Sequence, residues 1–184
     1  MRYFITFACY GAHLHGDEAG SVDPAHNVPG SRLIEVDPVR VSKEQEKMDQ
    51  PSYILDHRSR SIVLTALHEV CNHRGWSLLA AHVRTNHVHV VVEADTRPES
   101  AMRDFKSYAS RRLNALGIDP PNRKRWARHG STRWLWKDCS VYEAIRYVVE
   151  EQGAPMAVYV TPPLPYSRGS ETEALTRLPE RSPA

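Results

Sequence analysis

Apolar residues recur along this chain with two periods, and the switches between them divide it into elements. Residues 2–10, RYFITFACY, are aromatic and β-branched and read as a strand. Residues 11–51 carry Gly, Pro, Asp, Asn and His without a sustained period. They read as a long insertion after the first strand, with a short helix near SKEQEKMD. Residues 56–74 place Ile62, Val63, Ala66, Leu67, Val70 and Cys71 on one helical stripe, and Gly75 follows as a C-terminal cap. WSLLAAHVR reads as a strand, joined by Arg84, Thr85 and Asn86 to a second strand in TNHVHVVVEA, so the two predict an antiparallel hairpin.

Pro98 opens a helix that runs to about Leu116, ahead of Gly117 and Pro120-Pro121. Residues 118–131 read as a basic loop and TRWLWK as a short strand. The last helix, SVYEAIRYVVEEQ, has Ser140 and Glu143 at capping-box spacing and ends near Gln152. Its core stripe is Val141, Ile145, Val148 and Gln152, with Tyr147 flanking it. The order predicts an α+β, ferredoxin-like fold, an antiparallel sheet with helices packed on one face. A single domain is expected over residues 1–158, followed at 159–184 by a Pro-rich, disordered tail.

Composition narrows the class. Hydrophobic residues make up 41% and charged residues 25% of 184, as in a globular, soluble protein. No apolar run reaches the roughly 18 residues of a membrane span, and the N-terminal stretch turns polar too soon for a secretory signal, so a cytoplasmic protein is expected. Three scattered cysteines suggest neither a disulfide framework nor a cysteine zinc site. The net charge of +2 hides an asymmetry: residues 97–137 hold eleven Lys and Arg against three acids. Such a segment suits a polyanion, or is simply a solvated face. Lys106, Arg111, Arg112, Arg123, Lys124 and Arg125 are the candidate nucleic-acid contacts, with Tyr108 as an aromatic platform among them.

The candidate chemistry begins at His87 and His89. Alternation puts both on one face of their strand, where two imidazoles can converge on one divalent ion. Isolated, such a pair reads more readily as ordinary polar residues on a half-wet strand than as ligands. Tyr147 supplies a hydroxyl that can attack phosphorus; Tyr108 is its rival. Asn86 is expected to hold the turn or support a metal ligand. His82, on the neighbouring strand, is expected in the core or behind the ligands. His13 and His15 form another His-x-His, read as a loop feature. Trp134 and Trp136 share one strand face and are expected in the core rather than stacked on bases.

Taken in order, NHVHVVVE, FKSYASRRLN, AIRYVVEEQG and the opening YFITFACYGAHLHGDEAGSVD resemble the HUH single-tyrosine transposases of the insertion-sequence-200 type, and especially their REP-associated relatives. The resemblance covers residues 2–158. It implies Mg²⁺ or Mn²⁺ on His87 and His89, with Tyr147 as nucleophile. It also implies cleavage of single-stranded or hairpin DNA through a 5′-phosphotyrosine link, and a homodimer. The family's third ligand is an amide four residues after the tyrosine. Here that position is Glu151, with Gln152 next; helix phase favours Glu151 by a small margin and family chemistry favours Gln152. Two alternatives stay open: a nucleic-acid-binding protein without catalysis, and a metal-dependent nuclease that uses water.

Overall fold

The structure is a computed structural model that describes residues 1–12, 14 and 36–162. His13, His15, most of the insertion and the Pro-rich tail beyond residue 162 lie outside the described residues.

Nine elements follow in the order β1 (Arg2–Cys9), α1 (Pro38–Glu46), α2 (His57–Arg74), β2 (Ser77–Val83), β3 (His87–Glu93), α3 (Pro98–Ala115), β4 (Trp126–Trp134), α4 (Asp138–Glu150) and β5 (Ala157–Val160). One sheet takes the order β4-β1-β3-β2-β5 with every pairing antiparallel. The α+β, ferredoxin-like reading with an antiparallel sheet holds, but the helices do not all pack on one face: α4 lies on the face opposite α2 and α3. Helix α2 starts on Asp56, whose carboxylate accepts from the Ser59 N–H at 2.7 Å, and stops on Gly75 at φ 69°. That left-handed conformation suits a residue without Cβ.

Two cores flank the sheet. The larger joins alternate β1 residues (Tyr3, Ile5, Phe7, Cys9) and the β3 valines Val88, Val90 and Val92 to α2 and α3. The smaller lies on the opposite face, where Val141, Ala144 and Val148 of α4 meet Leu79, Ala80, Val91 and Leu135. Strand β3 is thus covered on both sides, which explains its unbroken valine run. It also explains why the face that carries His87 and His89 is the face that α4 covers.

Three other sequence expectations need correction. The last six residues of the supposed basic loop are strand: β4 begins at Trp126 and is an edge strand with little alternation to betray it. Its register slips between Phe7 and Cys9 of its partner. Lys106 Nζ donates to the carbonyls of Ala127 and His129 at 3.0 and 3.1 Å there. A Cβ on Gly130 would stand 2.5 Å from the Thr6 carbonyl oxygen, so only glycine allows this close approach. The capping box of the last helix is absent, because α4 starts two residues earlier, at Asp138, with Lys137 as a cap that contributes no side-chain bond. Asp138 meets Arg2 at 2.5 Å and places a negative charge at the helix N-terminus, where it is favourable. Finally, Trp134 and Trp136 are surface residues, 39% and 69% exposed, because their strand ends at the rim of the sheet. Strand β5 had no sequence signal strong enough to find it: four residues closed in by prolines.

Candidate active site

Pairing register builds the site. His89 lies opposite Thr6 on one neighbour and His82 on the other. The His87 and His89 rings stand 4.7 Å apart between centroids. His89 is 6% exposed and nearly parallel to Phe4 at 5.6 Å. Its Nδ1 meets the Thr6 hydroxyl at 2.7 Å and its Nε2 meets Gln152 Oε1 at 3.0 Å. The Gln152 amide nitrogen donates to the Tyr147 carbonyl at 3.3 Å, which leaves its oxygen facing the imidazole. The network therefore assigns the ring proton to Nε2, with Thr6 donating to Nδ1. His87 Nδ1 meets Asn86 Oδ1 at 2.8 Å, so Asn86 orients a candidate ligand rather than the turn alone.

Tyr147 closes the group from α4. Its ring meets the edges of Phe4 and His89 at 5.8 and 5.7 Å, and it stays 40% exposed. It borders an open cleft of about 320 Å³ shared with Phe4, Arg133, Glu143, Arg146 and Glu151. His82 explains the placing of α4. This buried ring meets the Val148 carbonyl at 2.9 Å and accepts the Met156 N–H at 3.2 Å, which fixes the residue beside Tyr147 and the approach to β5. Its role is structural, as its core position suggested.

Glu151 and Gln152, between which helix phase and family chemistry divide, meet different partners. Helix α4 ends at Glu150, so the phase argument does not extend to either residue. The chain turns there. Gln152 reaches His89, whereas Glu151 accepts from Arg146 Nε at 3.1 Å on the cleft side.

Burial holds the His89 imidazole neutral, with its pKa pushed down to about 4 against a bond to Gln152 that favours the charged form. Burial lowers His82 in the same direction. An unfolded histidine titrates near 6.5. The unfolded chain therefore binds the proton more readily, and stability falls as pH drops from about 6.5 towards 4. The expected loss attached to His89 is about 3 kcal/mol. Urea unfolding at pH 7 and pH 4 should show it, with His89→Gln losing less over that interval; equal losses would contradict it.

The basic candidates do not gather here. Arg125 is 3% exposed, bonded to Asp119 and to Asn114 Oδ1 at 2.9 and 2.8 Å, so its assignment as a DNA contact is withdrawn. Arg123 donates to the Pro51 and Ser52 carbonyls, Lys124 pairs with Asp49, and Arg112 pairs with Glu69. Those charges fasten loops and helices together. Lys106 holds the β4 bulge, and burial lowers its pKa. Tyr108 packs against the main core on the far side of the sheet, with the Arg111 guanidinium 4.2 Å above its ring. Thr6 and Phe4 were missed, because nothing in a single strand's sequence reveals which neighbour it will pair with.

The described residues include no group of three or more His, Cys, Asp and Glu able to hold an ion. The donor set present is two imidazoles and an amide oxygen. A neutral imidazole beside an amide oxygen is donor chemistry that a divalent ion such as Mg²⁺ or Mn²⁺ would take.

Comparison with known proteins agrees with the family resemblance. Residues 49–139 match the family described as "Transposase IS200 like". That segment holds His87 and His89 and ends before Tyr147 and Gln152. Two solved structures are similar. One is a REP-associated tyrosine transposase bound to a REP hairpin, at 12% identity and a TM-score of 0.44, over 80% of this chain. This chain spans 64% of that protein's length, less than two thirds. The other is a candidate transposase from Deinococcus radiodurans R1, at 12% identity and a TM-score of 0.42, over 80% of this chain and 88% of that one. No curated protein matches the chain. Among the described residues, no helix is long and apolar enough to cross a membrane.

Proposed function

We propose that this transposase-family protein cuts and rejoins single-stranded DNA at a hairpin by transesterification onto Tyr147. The observation that carries the reading is convergence: the Tyr147 ring and Gln152, at the end of α4, meet His89 from β3. The Tyr147 oxygen attacks the scissile phosphorus and gives up its proton to solvent. The bond from phosphorus to the 3′ oxygen breaks, and that oxygen takes a proton to become a free 3′-hydroxyl. A 5′-phosphotyrosine link remains. A second 3′-hydroxyl can reverse the step without ATP, because one phosphoester bond replaces another.

His87, His89 and Gln152 would hold Mg²⁺ or Mn²⁺, which supplies Lewis-acid polarisation of a phosphate oxygen. With Nε2 given to an ion, the ring proton would sit on Nδ1, where Thr6 Oγ1 stands within reach to accept it and hold the ring. Arg133 and Arg146 border the cleft beside Tyr147 and favour a phosphate there. The family resemblance adds a homodimer to this reading.

The test is a denaturing gel after incubation with labelled hairpin DNA from around the gene and Mn²⁺. A covalent adduct is expected in wild type and in Tyr108→Phe, and none in His87→Ala or His89→Ala. Cleavage without an adduct would assign the reaction to water instead. A separate expectation concerns the third ligand: Gln152→Ala should weaken Mn²⁺ binding about tenfold or more, while Glu151→Ala stays close to wild type. Calorimetric titration measures both, and the opposite ranking would restore Glu151.

A further inference from the structure

Outside this site the surface carries an aromatic plate. The Trp134 and Trp136 rings are stacked at 4.9 Å with 8° between their planes. Trp134 rests edge-on against buried Tyr3 at 4.9 Å, which anchors the inner ring. Trp136 is 69% exposed, so its indole has no comparable cover. Large exposed aromatic rings are costly to leave in water, and a flat, rigid pair suits a flat ligand.

Charge says which one. The stretch reads Arg133-Trp134-Leu135-Trp136-Lys137, with both cations exposed. Trp134 pairs with Tyr3 and shares its face of the sheet, the one packed on α2 and α3, whereas Arg133 pairs with Phe4 on the face of Tyr147. Arg133 borders the Tyr147 cleft and lies over the Phe4 ring at 5.5 Å. As the sheet's edge strand, β4 thus carries an aromatic plate on one side and, one residue earlier, a cation at the proposed cleavage cleft on the other. Aromatic rings among cations bind single strands by stacking bases while the charges hold phosphates.

We propose that Trp134 and Trp136 form a stacking platform for unpaired bases of the DNA strand where it passes over the β4 edge from the Tyr147 cleft. This rests on the proposed single-strand chemistry for its substrate class, but the platform can be tested without cleavage. Unstructured oligothymidine is titrated into the full chain in the absence of divalent metal, with tryptophan fluorescence and anisotropy of a labelled strand as readouts. Quenching is expected on binding. Trp136→Ala should raise the Kd about tenfold with an unchanged slope against salt, because a base contact is lost and no phosphate contact is. Trp136→Phe should recover part of the affinity. Since Trp136 packs chiefly on Trp134, circular dichroism of the variants should match wild type.

Equal oligothymidine affinity in wild type and Trp136→Ala would overturn the proposal. So would a change in self-association of the DNA-free protein without a change in DNA affinity, which would make the plate a protein contact. Failure of the tyrosine chemistry reads out differently: the platform would bind strands normally and no covalent adduct would form.

Discussion

Tyr147→Phe is expected to reduce strand cleavage by at least roughly a thousandfold, since loss of a nucleophile removes the covalent route entirely. The substitution deletes one oxygen. That oxygen makes no hydrogen bond among the described residues, whereas the ring contacts to Phe4 and His89 survive in phenylalanine. The fold should be unaffected, with stability within about 0.5 kcal/mol of wild type. DNA affinity and Mn²⁺ affinity should also persist, because neither the cations of the cleft nor the His87, His89 and Gln152 set is altered. Single-turnover cleavage with labelled hairpin DNA measures the effect. A variant that cleaves within tenfold of wild type would show that Tyr147 only packs.

Asp119→Ala is expected to be the most destabilising single change. Asp119 Oδ2 accepts from Arg125 Nε at 2.9 Å and from the Tyr53 hydroxyl at 2.7 Å. The Arg125 side chain is 2% exposed, and burial raises the Tyr53 pKa. Removing the carboxylate leaves a guanidinium charge sealed without a counterion. Breaking a buried pair in this way costs about 3–5 kcal/mol, or about 10 °C in melting temperature for a domain of this size. Asp119→Asn keeps an acceptor and should cost less. Thermal unfolding of the two variants decides; a shift of only a degree or two in Asp119→Ala would show that Arg125 finds water or another acceptor.

The same Arg125 shows where sequence reading stops. A run of cations is visible in composition, but whether each faces solvent or a carboxylate depends on contacts far along the chain. Lys124 has such a partner in Asp49, 75 residues away, while Arg125 is buried against Asp119, only six residues before it. The long helices were legible because each fills a face at helical period: Val63, Ala66, Leu67 and Val70 in α2, and Phe105, Ala109 and Leu113 in α3. The histidine face was legible because alternation is a local rule. Gln152 was not, because helical phase ends with the helix and the following turn is set by tertiary contacts such as the His82 bond to Val148. Thr6 was invisible for a related reason: its bond to His89 exists only through the β1–β3 register. Strand β4 hid because an edge strand covered on little of its surface does not alternate.

The central claim is that one tyrosine oxygen becomes joined to DNA. The direct measurement is to trap the adduct with hairpin DNA and Mn²⁺, digest DNA and protein, and locate the nucleotide-bearing peptide by mass spectrometry. The account predicts a 5′-phosphorylated nucleotide on Tyr147, in the peptide that follows Arg146. Modification of Tyr108 or Tyr142 instead, or strands cut with no modified peptide, would contradict it.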